Sequence, residues 1–208
     1  MTKKSEKTTE EKIIEAAVDE FAESGFAGAR VDSIAERGNI NKAMIYYYFK
    51  SKEKLYERIL EDLITWLYGQ IREAAAESGE PAERFYSIVG RYLDMLKLMD
   101  RRLMRIMMRE FASGGEFFRR IAVPNLVEPV MSIIGPLFKS AVEKGEFRDL
   151  NPYMTFFQII GGIIFFNIIR IPLEGSPVEG RIFTGNFYEE FGVNLFSVLK
   201  EGIEKKGV

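Results

Sequence analysis

The sequence predicts an all-α protein with an N-terminal three-helix unit and a larger C-terminal helical unit. Apolar residues recur three and four positions apart in successive segments, which is the helical period. Glycine, proline and asparagine separate these segments where helix ends are expected. With 208 residues, of which 47% are hydrophobic, the chain can form a small unit and a second, larger core. We place the boundary between residues 1–52, of which 1–7 are flexible, and residues 53–208.

The first predicted helix begins at a capping box and ends at a glycine. Thr8 and Glu11 have the spacing at which each side chain accepts the backbone N–H of the other residue. An apolar stripe follows, formed by Ile14, Ala17, Val18 and Phe21. Gly25 ends the helix, so this element can brace the two helices that come next.

Two short helices joined by a tight turn occupy residues 31–54. The first has an apolar face, formed by Val31, Ile34 and Ala35. Gly38 ends it, and both Gly38 and Asn39 tolerate the left-handed conformation of a tight turn. Asn41 is a strong N-cap for a second helix that begins at Lys42. Two helices joined by three or four residues have the spacing of a helix-turn-helix motif.

The second short helix is predicted to show aromatic and basic side chains to solvent. Ile45 and Phe49 lie four residues apart and face the core. Five other side chains point largely outward: Lys42, Ala43, Met44, Tyr46 and Tyr47. A recognition helix in the major groove of DNA explains exposed tyrosines, because hydroxyls, lysines and helix N-termini bind phosphate oxygens. The positive surface continues along the chain at Lys50, Lys52 and Lys54.

These residues resemble the TetR family of bacterial transcriptional regulators. The recognition helix of that family ends in a similar aromatic run followed by Lys-x-Lys-Glu, which here is Tyr46-Tyr47-Tyr48-Phe49-Lys50-Ser51-Lys52-Glu53. The preceding block is also similar, at Ala16-Ala17, Phe21, Gly25-Phe26 and Val31-x-x-Ile34-Ala35. The resemblance is specific because several independent positions agree in spacing. Beyond this N-terminal part, only the chain length and the helical architecture resemble the family.

Two departures from the family pattern concern the DNA contacts. Where the family usually has a threonine that caps the first short helix and contacts a phosphate, this chain has Ala29 followed by Arg30. Arg30 is the candidate replacement for that contact. Where the family usually has glycine in the turn, this chain has Asn39, with Gly38 one position earlier.

The predicted DNA-binding residues are Arg30, Asn41, Lys42, Ala43, Met44, Tyr46, Tyr47 and Lys52. Asn41 and Lys42 lie at the N-terminus of the second short helix and suit phosphates or bases. The two tyrosines suit the same groups, whereas Lys52 suits a phosphate. Ala43 and Met44 suit thymine methyl groups.

The residue types that are missing restrict the function. The chain contains no Cys and no His, so disulfides, thiolate nucleophiles and Ser-His-Asp catalysis are excluded. We expect no catalytic residue, no metal centre and no cofactor, although carboxylate or lysine chemistry stays open. The formal net charge is −2, so any attraction to DNA must be local. The N-terminus lacks an apolar signal segment, and we expect a cytoplasmic protein.

The middle of the chain is predicted to form three helical segments. A long helix runs from Lys52 to about Ser78, and a second runs from about Ala82 to Leu98. The third, residues 101–111, has arginines on one face, namely Arg102, Arg105 and Arg109. This face indicates a solvated surface or ion pairs between helices more than a second DNA-binding helix. Its other face is apolar and is formed by Leu103, Met104, Met107, Met108 and Phe111.

We expect a small, largely apolar effector to bind between residues 82 and 171. The segment 116–145 contains three prolines, so its helix is broken or kinked, and kinked helices leave gaps that Met and Phe side chains can line. The candidate effector residues are Arg91, Tyr92, Met95, Met107, Glu110, Phe111, Phe118, Met131, Phe138, Phe157, Phe165, Asn167 and Arg170. For each apolar candidate, a place in the core is the alternative. For each polar candidate, an internal hydrogen bond or ion pair is the alternative.

The most apolar stretch, residues 153–169, predicts a buried helix. It has the minimum length for a membrane span, about 17 residues, but it contains Gln158, Asn167 and two glycines. A helix buried on most sides explains it better. Gly161-Gly162 suits the close approach of a second subunit. We predict a symmetric homodimer through a four-helix bundle of residues 151–171 and 187–205, and TetR-like regulators pair in this way.

These expectations combine into a ligand-responsive repressor on a palindromic DNA operator. Two recognition helices on a two-fold axis would contact half-sites about 34 to 36 Å apart, or a multiple of that distance. The alternative is a non-catalytic helical interaction module that uses its exposed aromatics for a protein partner. An enzyme and a membrane-anchored or purely structural helical protein are weaker alternatives. The identity of the effector and the operator sequence do not follow from the sequence.

Overall fold

The computed structural model describes residues 7–183 and 186–205, and within these ranges the protein is all-α as predicted. The helices are α1 (Thr9–Gly28), α2 (Val31–Gly38), α3 (Lys42–Phe49), α4 (Lys52–Ala75), α5 (Pro81–Leu98), α6 (Arg101–Ala112), a π-helix (Phe118–Val127), α7 (Glu128–Glu143), α8 (Pro152–Leu173), α9 (Glu179–Ile182) and α10 (Phe187–Ile203). The flexibility expected for the N-terminus concerns residues that, apart from Lys7, lie outside the described ranges.

The helices form two compact units. The first unit contains the chain up to Trp66 together with Met99–Val127, and the second contains Leu67–Leu98 and the chain from Glu128 onward. The two units are defined by which residues lie close together in space and not by their order in the sequence. For this reason Met99–Val127, from the middle of the sequence, belongs to the same unit as the N-terminal helices. The boundary at residue 52 describes the extent of a DNA-binding function, and it stays a prediction.

The N-terminal helices of the first unit pack on an aromatic core. The capping box is confirmed, because Thr8 and Glu11 each bond the backbone N–H of the other residue. Helix α1 is interrupted at Gly25, whose φ of 67° and ψ of 174° are not helical. The next residue, Phe26, places its ring 5.1 Å from that of Tyr56 and 4.7 Å from that of Phe117. Rings from α1, from α4 and from the residue that precedes the π-helix therefore share one core.

The arginine face of α6 packs against α1. Arg102 pairs with Asp19 at 2.9 Å. Arg109 donates from Nε to the Ala22 carbonyl at 3.0 Å. Ion pairs and hydrogen bonds between helices thus account for Arg102 and Arg109, whereas Arg105 is exposed, so each of the two favoured alternatives applies to part of this face. The expected apolar face of α6 is wrong in part, because Phe111 is half exposed whereas Ile106 and Glu110 are the buried residues.

The proline-rich segment changes its helical winding, as the prolines predicted. It begins as a ten-residue π-helix that contains Pro124, and it continues as α7, which contains Pro136. A proline lacks the N–H of a regular helical hydrogen bond, and wider winding is one way to accommodate it. Helix α8 extends past Pro172 to Leu173, and a short helix, α9, follows it.

The second unit has its own aromatic core. The rings of Phe138 and Phe147 lie 5.0 Å apart, and each lies 5.5 Å from the ring of Phe85. These side chains are almost fully buried and join α5, α7 and the loop after α7. Tyr86 donates its hydroxyl hydrogen to Glu204 at 3.2 Å, which ties α5 to the end of α10.

Within a single chain helix α8 is not buried on most sides, so the expected burial is wrong for the chain alone, and its cover by a second subunit stays a prediction. Within its most apolar 18-residue window, only 28% is buried. Its open face carries large apolar side chains, namely Tyr153, Met154, Phe157 and Phe165. By length and composition, α8 and the stretch Phe118–Glu143 would each suffice to cross a membrane. This is weak evidence for a span, since helices that pack against protein pass the same test.

Candidate functional site

The turn between α2 and α3 has the geometry of a helix-turn-helix motif. Asn39 ends α2 in the left-handed conformation, with φ 48° and ψ 51°. Gly38 is helical, so its predicted role in the turn needs a correction. A Cβ at Gly38 would clash with the Ile40 side chain and lie 3.3 Å from the Cβ of Ala16. Gly38 therefore permits close packing, and Asn39 alone supplies the positive φ.

A buried carboxylate fixes α2 relative to α1. Glu20 is 4% exposed and accepts hydrogen bonds from the Arg30 backbone N–H at 3.2 Å and from Arg37 Nε at 3.1 Å. The first bond holds the N-terminus of α2, where Arg30 provides no side-chain cap. Sequence reasoning missed this role. The position of Glu20, three residues after Ala17 and next to Phe21 of the apolar stripe, was the available signal.

Helix α3 shows the surface that the sequence predicted. Asn41 Oδ1 accepts the Ala43 backbone N–H at 2.8 Å, so the N-cap is confirmed. Ile45 and Phe49 are 1% and 6% exposed, which fixes the inward face. The outward face carries Lys42, Ala43, Met44, Tyr46, Tyr47 and Tyr48. Tyr47 is 69% exposed.

Lys42 is held by an acid on the neighbouring helix. Its Nζ lies 2.6 Å from Asp32 Oδ1. The hydrogen bond from Lys42 holds the pKa of Asp32 below its ordinary value of 3.8, and the same bond raises the pKa of Lys42. Lys42 must leave or share this partner to contact a phosphate.

Lys52 has a structural role that the sequence did not predict. Its Nζ donates to the carbonyls of Phe26 at 2.8 Å and Ala29 at 2.9 Å. It also lies 4.7 Å from the centre of the Phe26 ring. Two of its three N–H groups therefore hold the end of α1, and only the third is left for the predicted phosphate contact.

Lys50 links α3 to α4 in a strained conformation. Its φ is 65° and its ψ is −40°, and the Ser51 N–H bonds the Phe49 carbonyl at 2.7 Å across it. This is close to a classic γ-turn, which is uncommon for a residue with a side chain. Lys50 Nζ donates a hydrogen bond to the Tyr47 carbonyl at 2.9 Å, so the charge of Lys50 lies beside the exposed tyrosines. Lys50 and Tyr48 belong to this surface, although they were missing from the predicted DNA-binding set.

Among the effector candidates of the first unit, Glu110 is an internal partner. It is 2% exposed and accepts the backbone N–H groups of Phe117 at 2.7 Å and Phe118 at 3.1 Å. The Tyr56 hydroxyl donates to it at 3.3 Å, and burial together with this carboxylate raises the pKa of Tyr56. The ring of Phe118 meets that of the half-exposed Phe111 edge to face, with ring centres 4.8 Å apart, and Met107 is partly buried.

The apolar effector candidates of the second unit lie in different environments. Phe138 belongs to the aromatic core, and Met95 is buried, whereas Met131 is partly buried. Phe157 and Phe165 are 52% and 63% exposed on the open face of α8. Within this unit the structure therefore does not bring these candidates together into one lining.

The polar candidates of the second unit differ in their partners. Arg91 lies 3.4 Å from both Gln70 Oε1 and Glu77 Oε1. Burial raises the pKa of Tyr92 to about 12. Asn167 and Arg170 lie near the C-terminal end of α8. Open grooves of about 400 and 620 Å³ flank α10. None of the predicted effector residues lines either groove. Within residues 7–183 and 186–205, no cluster of three acids has the arrangement of a metal site.

Comparison with known proteins relates the N-terminal helices to transcriptional regulators. A family model described as bacterial regulatory proteins, tetR family, matches residues 13–59. The chain is 26% identical over 152 residues to the uncharacterized HTH-type transcriptional regulator YhgD of Bacillus subtilis, which covers 71% of this chain and 76% of that protein. It is 29% identical over 146 residues to the HTH-type transcriptional repressor NicS of Pseudomonas putida, which covers 68% of this chain and 66% of that protein.

Solved structures share the fold over nearly the whole chain. The ketosteroid transcriptional regulator KstR2 of Mycobacterium tuberculosis superposes with a TM-score of 0.70 at 20% identity, and 96% of each chain is covered. The transcriptional regulator FadR of Bacillus subtilis in complex with stearoyl-CoA also gives a TM-score of 0.70, at 18% identity, over 92% of this chain and 97% of that one. At these identities the likeness concerns the fold alone.

Proposed function

Because the chain belongs to the TetR family of bacterial regulatory proteins and is a helix-turn-helix transcriptional regulator, we propose that it is a repressor that leaves its operator when it binds a small ligand. The operator is palindromic, the protein binds it as a homodimer, and the ligand is largely apolar. The protein acts in the cytoplasm and requires no catalytic residue.

The exposed tyrosines of α3 are the observation that carries the DNA-binding part of this proposal. An exposed aromatic ring normally costs free energy, since its apolar surface stays in water. Tyr46 and Tyr47 are nevertheless 43% and 69% exposed. The inward residues of the same helix, Ile45 and Phe49, are buried, and its N-cap hydrogen bond is formed. Their hydroxyls lie on a surface that also carries Lys42 and Lys50, and such groups bind DNA phosphates.

The open face of α8 supports the homodimer. Met154, Phe157 and Phe165 are each more than half exposed on this face. Gly161 and Gly162 lie between them with open space where side chains would be, so a second helix can approach closely. A second copy that covers α8 and α10 would place two α3 helices on a two-fold axis, which requires a palindromic operator.

The ligand class is supported by two facts of different kinds. The second unit contains most of the chain's phenylalanines, together with Met95, Met131 and Met154, and these side chains offer apolar surface to a ligand. Two proteins of the same fold are described as a ketosteroid regulator and as a regulator in complex with stearoyl-CoA. A ligand that prefers a dimer with a different spacing of the α3 helices would lower the population bound to the operator. The candidate effector residues stay predictions.

In vitro selection from random DNA duplexes tests the proposal, because the selection itself finds the operator sequence. The protein should enrich an inverted repeat, and affinity for it should fall steeply with salt because phosphate contacts release counterions. The double variant Tyr46→Ala, Tyr47→Ala should enrich no sequence while its helix content and oligomeric state equal those of the parent. A matched control, Tyr86→Phe, loses a hydroxyl in the second unit and should enrich the same repeat as the parent.

Two outcomes would contradict the DNA-binding proposal. One is the absence of any enriched duplex for the parent at low salt. The other is enrichment of the same repeat with equal affinity by the double tyrosine variant, which would place the recognition surface elsewhere.

A further inference from the structure

The polar effector candidates differ in whether their hydrogen-bonding groups are already satisfied. Glu110 accepts three hydrogen bonds, two of them from backbone N–H groups. Asn167 donates to the Ile163 carbonyl at 3.0 Å and accepts the Tyr188 hydroxyl at 2.8 Å. Arg91 faces Gln70 and Glu77. These three side chains have protein partners, so each fits an internal structural role.

Arg170 is the exception. Its Nε is buried and has no hydrogen-bond acceptor among residues 7–183 and 186–205. The side chain as a whole is 16% exposed. A buried guanidinium N–H without an acceptor is costly, and native proteins rarely keep one without a function.

The surroundings of Arg170 are aromatic on one side and acidic on the other. Its guanidinium carbon lies 5.0 Å from the ring centre of Phe187 and 5.6 Å from that of Tyr188. Such rings stabilise a cation but provide no lone pair for its N–H groups. Glu174 Oε1 lies 3.8 Å from Nε, which is beyond hydrogen-bonding distance. Glu174 is one helical turn further along the chain, and its side chain is 36% exposed.

We propose that Arg170 binds the carboxylate of an apolar acid, and that this acid is the effector class of the protein. A carboxylate can accept from a guanidinium through two parallel N–H bonds, which a neutral hydroxyl or ester cannot do. The hydrocarbon part of such an acid has apolar contacts available at Phe187, which flanks Arg170, and at Phe166, whose ring lies 6.2 Å from that of Phe187 and stacks on Phe191 at 3.9 Å. The Glu174 carboxylate competes with the ligand carboxylate for Arg170, and the ligand displaces it when it binds.

This inference rests on the proposed function for its role in regulation, but the binding step can be tested without DNA. The probes are the straight-chain acids from octanoate to dodecanoate, each paired with the alcohol of the same chain length. Affinity is measured by isothermal titration with the full-length protein below the micelle concentration. For the parent, at least one acid should bind ten times or more tightly than its alcohol.

Three variants make the test specific. Arg170→Met keeps an unbranched stem beside Phe187 and should bind acid and alcohol equally. Glu174→Gln removes the competing charge and should bind the acid several times more tightly than the parent. Arg84→Met removes an arginine of the second unit that already donates to the Ala75 carbonyl, and it should keep the parent's preference for the acid.

The inference is overturned if the parent binds no acid more tightly than its alcohol, or if Arg170→Met keeps the preference. Circular dichroism of Arg170→Met must match the parent, and Arg170→Lys should restore part of the preference through its charge. If the acid binds through Arg170 but leaves the selected DNA complex intact, the proposed release mechanism fails while the site stands.

Discussion

Helices α3 and α8 both expose aromatic side chains, yet they offer different chemistry to a partner. On α3, the exposed rings are tyrosines, with Lys42 and Lys50 beside them. On α8, the most exposed large side chains are Met154, Phe157 and Phe165, without a charged group among them. Exposure alone therefore does not identify the partner, whereas the polar groups around the rings do.

The two helices also differ in length and in what holds them. Helix α3 has eight residues and depends on its N-cap, on two buried side chains and on the neighbouring helices. Helix α8 has 22 residues and packs one face on α5 and α7. A short helix that is held at each end suits precise contacts to DNA, and a long apolar face suits a second copy of the chain. Substitutions on each helix can separate these two roles.

The largest effect is expected from a charge on the open face of α8. Phe165→Glu places a carboxylate at the proposed interface, and burial of that unpaired charge should prevent dimer formation. The monomer would have one α3 helix per DNA contact, so operator affinity should fall by about 100-fold or more. Sedimentation velocity and anisotropy with the selected duplex measure the two effects.

A matched control keeps this test specific to the interface. Lys139→Gln changes the net charge by the same one unit at a position on α7 whose side chain is 76% exposed. It should remain dimeric and bind DNA as the parent does. A Phe165→Glu variant that stays dimeric would show that the α8 face is not the interface.

The second effect concerns the support of α3. Lys52→Met removes the cation that bonds two carbonyls at the end of α1. Hydrogen bonds to a charged group contribute about 1.5–3 kcal/mol, so the free energy of unfolding of the first unit should fall by about that amount. Urea denaturation followed by circular dichroism measures it. Lys54→Met, which removes an exposed lysine two residues away, should cost much less, and equal losses would contradict the role of Lys52.

A smaller effect is expected from a single hydroxyl on α3. Tyr47→Phe keeps the ring and removes one hydrogen bond to DNA, so affinity for the selected duplex should fall about tenfold at unchanged thermal stability. Competition anisotropy at fixed salt measures the change. If this variant and the parent bind the duplex with equal affinity, the Tyr47 hydroxyl makes no hydrogen bond to DNA, and only the ring of Tyr47 contributes to binding.

The smallest effect is the titration of Asp32. The hydrogen bond from Lys42 lowers its pKa, so the stability from this pair is present above pH 3.8 and is lost as the pH falls through the lowered value. Carbonyl-detected NMR should give a pKa below 3.8 in the parent and an ordinary value in Lys42→Met. The same value in both proteins would show that the two side chains do not pair in solution.

The sequence predicted local features well because they depend on residues close in the chain. The capping box at Thr8, the N-cap at Asn41 and the inward face of α3 each follow from spacings of two to four residues. The disturbance of the helix around Pro124 follows from the missing N–H of proline. The family resemblance rests on the same N-terminal spacings.

Features that depend on distant residues were missed. Lys52 bonds carbonyls 23 and 26 positions earlier, and Glu20 bonds Arg37 across 17 positions. No periodic pattern encodes such pairs. The stretch 153–169 was predicted both to be buried on most sides and to lie at a subunit interface, because composition reports how apolar a helix is and does not report how much of its cover comes from the same chain.

Affinity for one selected duplex and for its half-site tests the central claim most directly, namely that two α3 helices read DNA together. The parent should bind the full inverted repeat at least about 100-fold more tightly than a duplex with one half-site, whereas Phe165→Glu should bind both duplexes with equal, weak affinity. If the parent binds the half-site duplex as tightly as the full repeat, the account of paired recognition helices is contradicted.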